Sequence, residues 1–165
     1  MSNETLSMSN ETVNETSDDL SRIVERHRER AAIARAAAEE RARGYNDARH
    51  ECGVRLRGVA LPLLRDWSKR LSVEGYPTSV DDRIGCHPPS LILRLAPHGG
   101  PESSLALACE IGRIVHFKMT IGGKDAGSAL ETPLAGLEDR HVLEGLGRFV
   151  AEALEATLPH DDCGP

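Results

Sequence analysis

The sequence predicts an α+β protein: a long N-terminal helix, a small antiparallel sheet of 3–5 strands, and a C-terminal amphipathic helix packed on one sheet face. Three observations carry that prediction. Apolar and small residues recur in alternating steps of four and three from Leu20 to Cys52. The period changes to two beyond Gly75 and Pro77. A single apolar stripe at helical spacing then closes the chain.

The first residues fit none of these patterns. Residues 1–18 are polar and acidic, with Asn-Glu-Thr repeated at Asn3, Asn10 and Asn14. Each triplet is formally a glycosylation sequon, but that modification needs a secretory route, and no signal segment is evident. A stretch this poor in apolar residues cannot offset its ordering entropy, so a disordered tail is expected, and likewise at 160–165.

A helical region is expected over 19–73. Ser17, Asp18 or Asp19 offers its N-cap. Leu20, Val24, His27, Ala31, Ala34, Ala38, Arg41, Tyr45, Ala48 and Cys52 then follow the rhythm of a coiled-coil seam, giving a coiled-coil-like segment over 20–57. Alanine dominates the seam and Gly44 weakens it, by about 1 kcal/mol relative to alanine. Such a helix gains by burying its seam on a partner. The expected partner-binding residues are Leu20, Val24, Ala31, Ala34, Ala38, Arg41, Tyr45 and Ala48.

The pattern strengthens at Val54, Leu56, Val59, Leu63, Leu64, Trp67 and Leu71, so 54–73 should pack on the folded body. Pro62 lacks an amide donor, and a kink or break is expected near Gly58–Pro62.

The body is expected over 74–159. Val80, Asp82 and Ile84 mark a weak first strand. Leu91, Leu93 and Leu95 alternate with Ser90, Ile92 and Arg94. Leu105, Leu107, Cys109 and Ile111 alternate with small or polar residues, and Val115, Phe117, Met119 and Ile121 do the same. Short connections between these runs predict an antiparallel meander. Gly122-Gly123 ends the third run, and 128–134 reads as an added edge strand closed by Pro133. The last helix, from about Glu138 to Leu158, carries Val142, Leu143, Leu146, Phe149, Val150, Ala153 and Leu154 on one stripe before Pro159. The opposite sheet face, with Ile92, Ala106, Ala108, Ile114 and His116, is less apolar.

Charge is distributed unevenly along the chain. Residues 1–19 carry a net −5, residues 20–73 a net +6 and residues 74–165 a net −7. A basic helix joined to an acidic body fits an acidic partner, nucleic acid included. Nucleic-acid binders usually add aromatics to a segregated basic stripe. Here Glu25, Glu29, Glu39, Glu40 and Glu51 interleave with the arginines, so nucleic acid is not favoured.

The four cysteines (Cys52, Cys86, Cys109 and Cys163) form no C-x-x-C pair. Free thiols in a reducing cytoplasm are the simplest expectation, with Cys109 behaving as a small buried hydrophobe. No stretch approaches the ~20 apolar residues of a membrane span, and no membrane association is expected.

Four constellations bear on chemistry. His50 with Cys52, and Cys86 with His87, are zinc-competent residue types without a recognised ligand spacing. Cys86-His87-Pro88-Pro89 places a thiol beside an imidazole on a loop, the raw material of a small thiol enzyme. Gly122-Gly123-Lys124 lacks the remaining elements of a phosphate-binding loop. The arginine-rich helix is the fourth. No catalytic, cofactor or metal site is expected. The expectation is a non-enzymatic interaction and assembly module, self-associating as a homodimer or engaging a helical protein partner through the long helix. The alternative is a nucleic-acid or acidic-partner binder using the arginines, and behind it the thiol enzyme centred on Cys86-His87.

Overall fold

A computed structural model describes residues 8–98, 100–110 and 112–158, with burial described from Asp19 onward. Helix α1 spans Met8–Arg55, a π-helical turn spans Leu56–Ala60, and α2 spans Leu61–Val73. Five strands follow: β1 Thr78–Arg83, β2 Ser90–Leu95, β3 Ser103–Cys109, β4 Ile114–Ile121 and β5 Lys124–Pro133. A short 3₁₀ turn at Leu134–Gly136 leads into α3, Asp139–Glu155. The α+β class and the order of elements therefore match the sequence expectation.

Helix α1 begins earlier than the Ser17–Asp19 cap predicts, because neither proline nor glycine interrupts Met8–Asp19. The expected tail at 1–18 is described only as the helical backbone from Met8. Ile111, the Pro159 stop, Cys163 and the tail at 160–165 lie outside the described residues. The chain divides into two compact units, one ending at Gly44 and the other beginning at Tyr45.

In the second unit, Pro62 stands near the start of α2, directly after a π-helical turn that continues α1. The ladder widens just before it: the Leu61 N–H donates to the Leu56 carbonyl, the i→i−5 bond of a π-turn. Leu56 and Ala60 in that turn, with Leu61, Leu64 and Leu71 in α2, are buried.

The sheet is a plain antiparallel meander in the order β1-β2-β3-β4-β5. Its register aligns Leu91 with Leu107 and Phe117, and Leu93 with Leu105 and Met119. Every one of these side chains is buried, as are Leu95, Cys109 and Val115 on the same face. Val142, Leu146, Phe149 and Ala153 of α3 complete the core with the helix α2 residues. Strand β5 starts at Lys124, ahead of the expected 128–134. Its first half is polar and glycine-containing and carries no period-two signal, yet it pairs with β4 through two register irregularities. Glu138 caps α3 in a reciprocal arrangement with His141, which sets where that helix begins.

Gly145 marks the closest approach of α3 to the sheet. A Cβ there would lie 2.6 Å from Cδ1 of Phe117, whereas one at Gly147 would meet nothing within 4 Å. Replacing either by alanine raises helix propensity by about 1 kcal/mol, but at Gly145 overpacking reverses the sign. Gly145→Ala is expected to lower stability by about 1–3 kcal/mol, and Gly147→Ala to raise it by up to about 1 kcal/mol. Urea unfolding midpoints of the two variants check this directly.

Candidate functional site

Two places gather the residues that the sequence singles out. The first lies in the second unit, where the end of α1 meets the β1–β2 loop. Cys52 and Cys109 are joined in a disulfide, with a Cα–Cα distance of 6.1 Å across 57 residues of sequence. This corrects the expectation of free thiols at these positions. Both residues are 2–3 % exposed, so the inward position of Cys109 is as expected, but its sulfur is bonded. Sequence offered no signal for the pairing, because the two cysteines become neighbours only when α1 packs beside β3.

A small cavity of about 20 Å³ borders the disulfide, lined by Tyr45, Ala48, Arg49, His87, Pro89 and Glu110 besides the two cysteines. That is room for roughly one water molecule, not for a substrate. The loop beside it is held from two sides. The Arg49 guanidinium donates to the Gly85 carbonyl, and the Cys109 N–H donates to the Pro89 carbonyl at 3.0 Å. The Tyr45 hydroxyl meets the His87 ring, with the two rings edge to face at 5.1 Å between centroids. Cys86 is free and exposed. Among the described residues, no base lies within hydrogen-bonding reach of its thiol, because the His87 ring is turned to Tyr45. Cys52 is taken up in the disulfide, which removes it as a ligand beside His50. Among the described residues, no three His, Cys, Asp or Glu side chains gather as a metal site.

The arginines of the long helix divide by role. Arg49 holds the loop, Arg55 donates to the Leu137 carbonyl at 2.8 Å, and Arg57 lies 3.8 Å from Asp82. Glu51 reaches Arg113 at 3.3 Å. The last two turns of α1 are thus tied to their own body, and Tyr45 and Ala48 of the expected seam face the chain's own loop.

The second place is in the first unit. Leu20, Val24, Ala31, Ala34, Ala38 and Arg41 lie on one uninterrupted α-helix. Leu20 is 62 % exposed, Ile23 56 % and Val24 38 %. Among the described residues, the one ion pair in this segment is Arg22–Asp19, at 4.0 Å.

The open face of the sheet is a third, polar surface. Arg94 bridges Glu102 at 2.9 Å and Asp81 at 3.4 Å, and these hydrogen bonds, Glu102 first, raise its pKa above the ordinary arginine value. His116 sits between Glu131 at 2.9 Å and Glu110 at 3.5 Å. Opposite charges already meet across this face.

Comparison with protein-family models, with curated proteins and with solved structures finds no match for this chain. No helix among the described residues is long and apolar enough to cross a membrane.

The disulfide is accessible to a direct check. Non-reducing peptide mapping is expected to return a Cys52–Cys109 linked pair and an alkylated Cys86. Replacing both bonded cysteines by alanine should lower stability by roughly 2–4 kcal/mol, the range for closing a loop of this length. An unchanged denaturation midpoint would contradict that assignment.

Proposed function

We propose that this chain is a non-enzymatic interaction and assembly module whose first unit pairs its helical seam with another helix, a second copy of the chain by default. The observation that supports this most is the exposure of Leu20 and Val24, with Ile23 beside them, at the head of a seam that continues through Ala31, Ala34, Ala38 and Arg41. Fully burying one such large apolar side chain stabilises by about 1.5–3 kcal/mol. Alanine along the rest of the seam lets two helix axes approach closely, which a partner of matching spacing exploits. With only one ion pair described along its surface, the segment has little other stabilisation than propensity and pairing.

The second unit acts as an anchor in this reading. It buries the end of the same helix and fixes it with the disulfide and three arginine contacts. The thiol-enzyme reading is less well supported, because the cavity beside Cys86 is too small for a substrate and His87 is engaged by Tyr45. On compartment, scattered cysteines point to a reducing cytoplasm, whereas a bonded Cys52–Cys109 pair points to an oxidising one. The seam functions equally in either.

Light scattering on the purified full-length chain, at salt high enough to screen surface charge, tests the reading. A dimer mass is expected. Val24→Asp buries a carboxylate in the seam and should weaken the dimer on the order of a hundredfold. A monomer at every concentration, or a dimer indifferent to Val24→Asp, would overturn it.

A further inference from the structure

The seam has flanks, and their charges are of one sign. The helix fixes the assignment of heptad positions: Val24, Ala31 and Ala38 take position a, and Leu20, His27, Ala34 and Arg41 take position d. The charged residues at the flanking e and g positions are then Arg28, Arg30 and Arg35, all exposed. The carboxylates of the segment, Glu25, Glu29, Glu39 and Glu40, occupy b, c and f positions away from the seam. Along the linear sequence the signs look interleaved. Around the helix the carboxylates all fall behind the seam, together with Arg22, Arg26 and Arg43, and the seam's own flanks carry arginine as their charged residue.

Flanking residues choose partners, because they sit across from the flanks of the facing helix. Whichever way a second copy runs, each charged residue it sets against these flanks is again arginine. Self-pairing is therefore opposed at low salt. Among the described residues, no carboxylate pairs with Arg28, Arg30 or Arg35, so all three remain available to a partner. We infer that the preferred occupant of this seam is an amphipathic protein helix with acidic flanks. Its apolar side chains would be larger than alanine, filling the shallow Ala31–Ala34–Ala38 stretch. The middle of the face favours a protein helix over nucleic acid. It presents alanine methyl groups rather than the Asn, Gln or Arg side chains that read base edges.

This inference rests on the pairing reading above, and the experiment separates the two. Three labelled designed peptides share one leucine-rich seam and differ only in flanks: glutamate, glutamine or lysine. Fluorescence anisotropy measures their binding to the full-length chain at low and high salt, alongside a labelled mixed-sequence DNA duplex. The glutamate peptide should bind roughly five- to tenfold tighter than the glutamine peptide at low salt, the sum expected of three exposed charge pairs. The lysine peptide should bind weakest, and high salt should shrink these differences. Replacing Arg28, Arg30 and Arg35 together by glutamine should erase the glutamate advantage and leave glutamine-peptide binding unchanged. Glutamine is a comparable helix former, so circular dichroism should show the helix intact.

Equal binding of glutamate and glutamine peptides would overturn the charge selection and leave pairing standing. Failure of all three peptides would overturn the acidic-helix assignment, and with a monomer by light scattering it would overturn the pairing reading too. Tighter binding of the duplex than of the glutamate peptide, lost in the triple variant, would overturn the acidic-helix assignment in favour of nucleic acid.

Discussion

One helix in this chain meets two environments, and the rest of the account depends on that. From Cys52 onward the helical residues facing the sheet are buried: Cys52 itself, then Leu56, Ala60, Leu61 and Leu64. Between Leu20 and Gly44 the large apolar residues of the same helix remain exposed. Apolar surface removed from water stabilises by about 25 cal/mol per Å². The buried end therefore has its stabilisation in hand, whereas the exposed large apolar residues gain none of this kind within the chain. The ties that hold the buried end are of several kinds: a disulfide, an arginine donating to a carbonyl on either side, and ion pairs to β1 and the β3–β4 turn. Surface ion pairs contribute little singly. Their value here is positional, since they fix the last turns of α1 against the sheet.

Much of the fold was legible because it obeys simple periods. Leu91 to Met119 alternate through three strands with short turns, and that alternation alone determines which face is buried. The stripe from Val142 to Ala153 identifies α3 by the same logic. What escaped notice was long-range or patternless. Lys124 to Ser128 are polar and carry no alternation, because an edge strand open to solvent needs none. The Cys52–Cys109 bond and the Tyr45–His87 contact join residues far apart in sequence, and neither has a spacing signature. The π-turn at Leu56–Ala60 ends just before Pro62, and proline predicts a disturbance without saying which kind.

The long helix was legible from its spacing, and its division between buried and exposed ends needed the body to reveal it. Spacing alone runs from Leu20 to Cys52 without a seam-breaking step. The structure places Tyr45, Ala48 and Cys52 in contacts within the chain and leaves Leu20, Ile23 and Val24 exposed. The arginines divide at the same place: Arg49, Arg55 and Arg57 serve the body, and Arg28, Arg30 and Arg35 border the exposed seam. A count of charges along the chain cannot make that division. It depends on which way each side chain leaves the helix. The open sheet face carries opposite charges that already meet one another.

Hydrogen exchange followed against protein concentration tests the central claim most directly. If residues 20–41 owe their order to pairing, their amides should gain protection as concentration rises, while β2, β3 and β4 keep the same protection throughout. Protection of 20–41 that is equally strong at every dilution, with the protein monomeric, would contradict the account, because the helix would then need no partner.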